Sequence, residues 1–251
     1  MYARSTVLAA AVAATLLSAC SDSTGASGDP QVRFNLATGS SPAAGMAGPA
    51  FAVAAAPMTL TDGANTLVID QVELVLREIE LERVGEDACA LVADDSCEKL
   101  ELGPILLDLP LTAGAVGQFT VPVDTGHYGE VEFEVHKASS SDDAAFVAQH
   151  PDLADRSIRV TGSYNGAAFT FYSDIDVEQE IDLVPPMVVG ESGSADLTLR
   201  VDLDRWFRDD AGALLDPATA NKGEPNEGQV KNNIQNGFEA FEDADRDGVE
   251  G

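Results

Sequence analysis

Lysine is almost missing from this chain. Lys99, Lys137, Lys222 and Lys231 are all it has, and Lys plus Arg number 14 against 43 Asp plus Glu, for a formal net charge of −29. Nucleic acid and acidic lipid headgroups are bound by neutralising phosphate with Lys and Arg, so this balance excludes both as partners. Histidine is scarce too: His127, His136 and His150 stand apart, and no H-E-x-x-H joins two of them. No G-x-S-x-G and no glycine-rich phosphate loop occurs, which leaves common hydrolase and nucleotide-binding signatures unfilled. The three cysteines, Cys20, Cys89 and Cys97, form neither a zinc-type set nor a redox C-x-x-C. No apolar run reaches the ~20 residues of a membrane-spanning helix. What is abundant is acid. A lysine-poor, acid-rich surface suits salty surroundings, where counter-ions screen its repulsion.

The chain opens on "MYARSTVLAAAVAATLLSAC", with Arg4 as a positive n-region and 7–17 as a short apolar segment. Its end, Leu17-Ser18-Ala19-Cys20, resembles the lipobox of bacterial lipoproteins. That resemblance implies cleavage before Cys20, thioether lipidation of Cys20 and acylation of the new amino terminus. An ordinary secretory signal with a stray cysteine is the alternative. Several acyl chains on Cys20 make a stable membrane anchor where one holds only marginally. Ser21 stands where lipoproteins kept at the inner membrane of many Gram-negative bacteria carry Asp, so the same analogy implies the outer membrane. With Cys20 lipidated, Cys89 and Cys97 remain. In an oxidising envelope the pair reads as a disulfide closing a short loop, with two free thiols as the alternative.

The organisation follows. Residues 1–19 are the signal peptide, and 20–57 are the lipidated cysteine and a low-complexity tether that contains one candidate strand, "QVRFNLA". Residues 58–204 are a β-domain, and 205–251 a helical acidic tail. Period-two alternation dominates the β-domain. In "QVELVLREIELERV" the inward set slips by one after Leu76, which predicts a β-bulge near Arg77-Glu78. "GQFTVPV" carries Pro122, an edge-strand signal, and "SIRVTGSYNGAAFTFYSD" places Asn165-Gly166 where a type I′ hairpin turn needs two positive φ values. Many short strands with few helices predict an immunoglobulin- or transthyretin-like antiparallel β-sandwich with a short C-terminal helix.

"DTGHY" at 124–128 resembles the tyrosine corner of Greek-key sandwiches, although Glu130 stands where a core residue belongs. Across 67–217, "LVIDQVELVLREIELERV", "GPILLDLPL", "SIRVTGSYNG" and "VDLDRWFRDDAGALLDP" resemble lipoproteins of environmental bacteria that carry a β-domain of unknown function. That likeness implies a location and a shape, not an activity.

Two features bear on chemistry. Carboxylates recur on alternate positions: Glu78, Glu80 and Glu82; Glu130, Glu132 and Glu134; Asp174, Asp176, Glu178, Glu180 and Asp182. They form either a solvated acidic face, interleaved by Arg159 and Arg200, or cation ligands. At the end, D-A-D-R-D-G sets Asp243, Asp245 and Asp247 at the first, third and fifth positions of a calcium loop, with Gly248 at the turn and the Val249 carbonyl as a further ligand. Val230, Ile234, Phe238 and Phe241 share one face of a predicted entering helix, and the closing bidentate Glu is missing. Such a site would bind Ca²⁺ at ~10⁻⁴–10⁻³ M; a frayed acidic terminus is the alternative. His136 is expected to face solvent. Trp206 and Phe207 are expected to plug one end of the core, with sugar stacking by Trp206 if it is exposed. The function expected is a lipid-anchored, non-enzymatic binding or structural module of the periplasm or cell surface, with a protein or glycan partner unspecified. The alternatives are an envelope hydrolase using acidic residues and a subunit of a surface assembly.

Overall fold

The computed structural model describes residues 29–38, 57–84, 99–112, 114–191 and 193–250. The signal peptide, Cys20, most of the tether and the Cys89/Cys97 pair lie outside the described residues.

The chain is a β-sandwich of two packed sheets. Sheet one runs β11-β10-β1-β5, with β1 at Gln31–Thr38, β5 at Val116–Pro122, β10 at Ser194–Val201 and β11 at Phe238–Glu242. Sheet two runs β8-β7-β3-β6-β9, and β2 and β4 also pair with β3. Its strands are β2 at Met58–Thr61, β3 at Thr66–Arg83, β4 at Lys99–Asp108, β6 at Gly126–Val135, β7 at Ile158–Tyr164, β8 at Ala167–Ser173 and β9 at Val177–Val189. Helices α1 (Ala144–Gln149), α2 (Leu203–Trp206) and α3 (Glu227–Gln235) are short.

Alternation decides what fills the space between the sheets. Val32, Phe34 and Leu36 of β1 and Leu197 and Leu199 of β10 join one core with Leu76, Ile79, Val131, Phe133 and Val135 of sheet two. The local signals map closely. Asn165 (φ 51°) and Gly166 (φ 82°) make the β7–β8 turn. The β3–β4 register shifts between Leu76 and Glu78, at the expected bulge. The Tyr128 hydroxyl donates to the Asp124 carbonyl over 2.9 Å. A second bulge, between Tyr128 and Glu130 against β9, resets the parity, so Val131 points inward and Glu130 outward. Pro122 ends β5, an edge strand.

Three departures matter. Residues 31–38, assigned to the tether, are β1, an inner strand of sheet one. β1 also pairs with β10 in parallel, the one parallel ladder among the described strands. The tail is not a single helix either. α3 buries Val230 and Ile234, the chain turns at Gly237, and Phe238 and Phe241 lie on β11 against β10. A Cβ on Gly237 would stand 2.8 Å from Trp206 Nε1, so this turn is open only to glycine.

β3 also changes partner midway. Val75 donates its N–H to the Ser157 carbonyl over 2.8 Å and accepts from His136 N–H over 3.0 Å. N–H and C=O of one strand residue point to the same side, so one edge of β3 passes from β7 to β6 at Val75. The connection between β6 and β7 folds over this junction. α1 packs Phe146 there with Leu153, Ala138 and Val75 as a second small core.

Candidate metal centres

Among the described residues, three groups bring metal-ligating atoms within 4.8 Å of one another: Asp243/Asp245/Asp247, Glu82/Glu130/Glu132 and Glu134/His136/Asp176.

The first is the C-terminal loop. Its leading residue, Asp243, is 2 % exposed. Asp243 Oδ2 accepts from Thr198 Oγ1 (2.8 Å) and Gly248 N–H (3.0 Å), and Oδ1 accepts from Asp247 N–H (3.2 Å). Val249 donates its N–H to Asp247 Oδ1 over 2.8 Å. Gly248 takes φ 79°, and a Cβ there would stand 3.1 Å from Ala37 Cβ. The Ala115 N–H donates to the Arg246 carbonyl over 3.3 Å. The loop therefore folds back over the outer face of sheet one, covering Ala37 and Thr198. It is not a frayed end. Beside it Arg33 grips Asp196 through two bonds of 2.8 and 3.0 Å. Asn35 Oδ1, on the residue facing Thr198, is buried without a hydrogen-bond partner among the described residues. An entering helix is not present, because the residues before Asp243 are β11.

The second group belongs to a wider acidic face. Strand register sets Glu80 beside Glu132 and Glu132 beside Glu180; Glu82, Glu130 and Asp182 form the next row, and Glu134 faces Glu178. The stripes seen along single strands thus lie side by side across three. Burial, then Glu80, Glu178, Glu180 and Glu82, push the Glu132 carboxyl up to about 7. Glu130 is raised by burial and then by Glu82, Glu180 and Asp182. The arginines expected to interleave are engaged elsewhere: Arg159 with Glu73 and Asp152, and Arg200 with Glu239. Arg77 instead reaches Glu134, at 2.7 Å. Asp174 and Asp176 precede β9 and leave the stripe. Lys222 and then Lys231 hold the Asp174 carboxyl down at about 2.

The third group overturns the expectation for His136. Parity is right, since His136 projects from the outer face like Glu134. Solvent exposure is wrong, because the connection after β6 covers it and leaves its side chain 6 % exposed. Nε2 lies 2.7 Å from Asp143 Oδ2, and Nδ1 lies 3.2 Å from Glu134 Oε1 and 3.5 Å from Asp176 Oδ1. Burial raises the Asp143 carboxyl, but the Ser139 N–H and the His136 ring outweigh it and hold the group below its ordinary range. Asp143 was not singled out from the sequence. Its one signal was its place just before the apolar turn "AAFVAQ".

Trp206 and Phe207 are fully buried, with Phe207 edge-on to Phe171 at 5.2 Å. They plug the core, and Trp206 has no face for a sugar. No protein-family model, curated protein or solved structure matches this chain. The class that the fold defines is a two-sheet β-sandwich, here with clusters of carboxylates on the outer faces of both sheets.

Proposed function

We propose that this protein is a lipid-anchored, non-catalytic binding or structural module of the cell envelope that takes up Ca²⁺ at its C-terminal loop. The observation that carries the reading is the convergence of Asp243, Asp245 and Asp247 in a loop pinned to sheet one, with glycine at the turn. Oxygen-only ligands suit a hard cation, and a set lacking a closing bidentate Glu suits the millimolar calcium of extracellular surroundings.

A non-catalytic role is supported by His136, whose two ring nitrogens face carboxylates rather than a hydroxyl or thiol. Membership of a surface assembly is less well supported. The edge strand β9 exposes Val184 and Val188, but Pro185, Pro186 and its row of carboxylates blunt it as a pairing edge.

Residues 21–251 retain every described element and suit the test. Ca²⁺ at about ten times its Kd should stabilise the fold by about 1.4 kcal/mol, raising Tm over the value in chelator. Asp245→Ala should remove that rise; an unchanged Tm in the unsubstituted chain counts against calcium. For the anchor, full-length protein should fractionate with membranes and Cys20→Ala with the soluble fraction; membrane association that survives Cys20→Ala counts against lipidation.

A further inference from the structure

Where β3 changes partner, the chain assembles a centre unlike the other two, because its middle member is a buried imidazole. Asp143 accepts from the Ser139 N–H over 2.8 Å with the same Oδ2 that meets His136 Nε2. An ionised carboxylate only accepts, so Nε2 carries the proton. Nδ1 faces Glu134 Oε1 and Asp176 Oδ1, two acceptors, so this corner takes either a proton on Nδ1 or a cation shared by all three atoms. Three atoms able to ligate a metal thus converge, within 4.8 Å of one another, in a mostly buried corner.

We propose that Glu134, His136 and Asp176 bind a divalent transition metal of the Zn²⁺ class, with Asp143 as the carboxylate that orients the imidazole. The spacing fits. Zn–N and Zn–O bonds of about 2.0–2.2 Å in a tetrahedron put neighbouring ligand atoms about 3.3–3.6 Å apart, against the observed 3.2 and 3.5 Å. The charge fits too. Glu134, Asp143 and Asp176 contribute three negative charges and Arg77, on Glu134 Oε2 at 2.7 Å, one positive, leaving two for a dication beside a neutral ring. Arg77 holds one oxygen of Glu134 and leaves Oε1 to the metal. A carboxylate on the far nitrogen of a ligating histidine is the usual second partner, fixing tautomer and ring orientation. Imidazole selects against Ca²⁺ and Mg²⁺, which take oxygen. Asp176, 45 % exposed, gives the ion an entry side and leaves a fourth position open to water or to a ligand from a partner. This centre is independent of the calcium loop.

The test is Zn²⁺ titration of residues 21–251 against a chromophoric chelator, with excess Ca²⁺ present to occupy oxygen-only sites. Asp176→Asn keeps an acceptor for the Lys137 N–H, and His136→Gln keeps a donor towards Asp143. The expected result is one Zn²⁺ per chain, weakened about tenfold or more by either substitution and unchanged by Asp243→Ala/Asp245→Ala. Co²⁺ in its place should give visible absorption bands that Asp176→Asn alters. Absence of saturable Zn²⁺ binding overturns the proposal, as does binding that Asp176→Asn leaves intact. So does ¹⁵N NMR showing both His136 nitrogens protonated with Zn²⁺ in excess, since a proton would then fill the place assigned to the metal. If His136→Gln fails to fold, the exposed Asp176→Asn still decides.

Discussion

Thr198 donates its hydroxyl to the Asp243 carboxylate over 2.8 Å, tying the first residue of the C-terminal loop to an inner strand of sheet one. The partner is buried and charged, so the bond should be worth about 1.5–3 kcal/mol. Thr198→Val keeps the β-branched shape and removes the donor. Urea unfolding of that variant should show a loss in this range, and its calcium affinity should fall as well. A loss of stability near zero would mean that this bond does not hold the loop to sheet one.

Gly162 passes so close to β3 that a Cβ would stand 2.0 Å from the Val68 carbonyl oxygen and 3.2 Å from Ile69 Cα. Both obstacles are backbone and cannot swing aside. Gly162→Ala should therefore cost about 1–3 kcal/mol or more through overpacking. Gly190 has open space where its Cβ would be, and Gly190→Ala should stay within about 0.5 kcal/mol. Equal denaturation midpoints for the two variants would contradict the β3–β7 packing.

The acidic face sets a pH dependence with a definite sign. Glu132 has its carboxyl raised from 4.5 to about 7 in the folded chain. Between those values the folded state binds more protons than the unfolded one, so stability falls as pH rises through the window. Asp174 works in the opposite direction. Held at about 2 against an ordinary 3.8, it contributes stability that is present above 3.8 and lost as pH drops through 2. Thermal unfolding at low salt should thus peak at mildly acidic pH, about 4.5–5. Glu132→Gln should flatten the neutral limb and leave the acid limb. A Tm that climbs steadily from pH 5 to 8 would refute the crowding of Glu80, Glu132 and Glu180.

Much of the fold was legible because alternation along a strand is a local property. Val131, Phe133 and Val135 declared their inward face, and Asn165-Gly166 declared its turn. What crossed between strands was not legible. Nothing in three separate stripes says that Glu80, Glu132 and Glu180 share a row, since register belongs to the pairing. Phe238 and Phe241 continued the four- and three-residue spacing of Val230 and Ile234, so β11 read as helix. The helix stops at Gln235, and the Trp206 indole, against which a Cβ on Gly237 would stand 2.8 Å away, lies far off in sequence. His136 shows the same limit: its parity could be read, but its burial depends on residues 137–157 folding back, which nothing along β6 itself announces.

Whether residues 243–249 hold a cation is decided by calorimetric titration of residues 21–251 with Ca²⁺. The expected result is one saturable event with Kd ~10⁻⁴–10⁻³ M, abolished by Asp245→Ala and retained in Asp176→Asn. Heats no larger than dilution, or the same isotherm in Asp245→Ala, would contradict it and leave the loop as a clasp that closes sheet one without a metal.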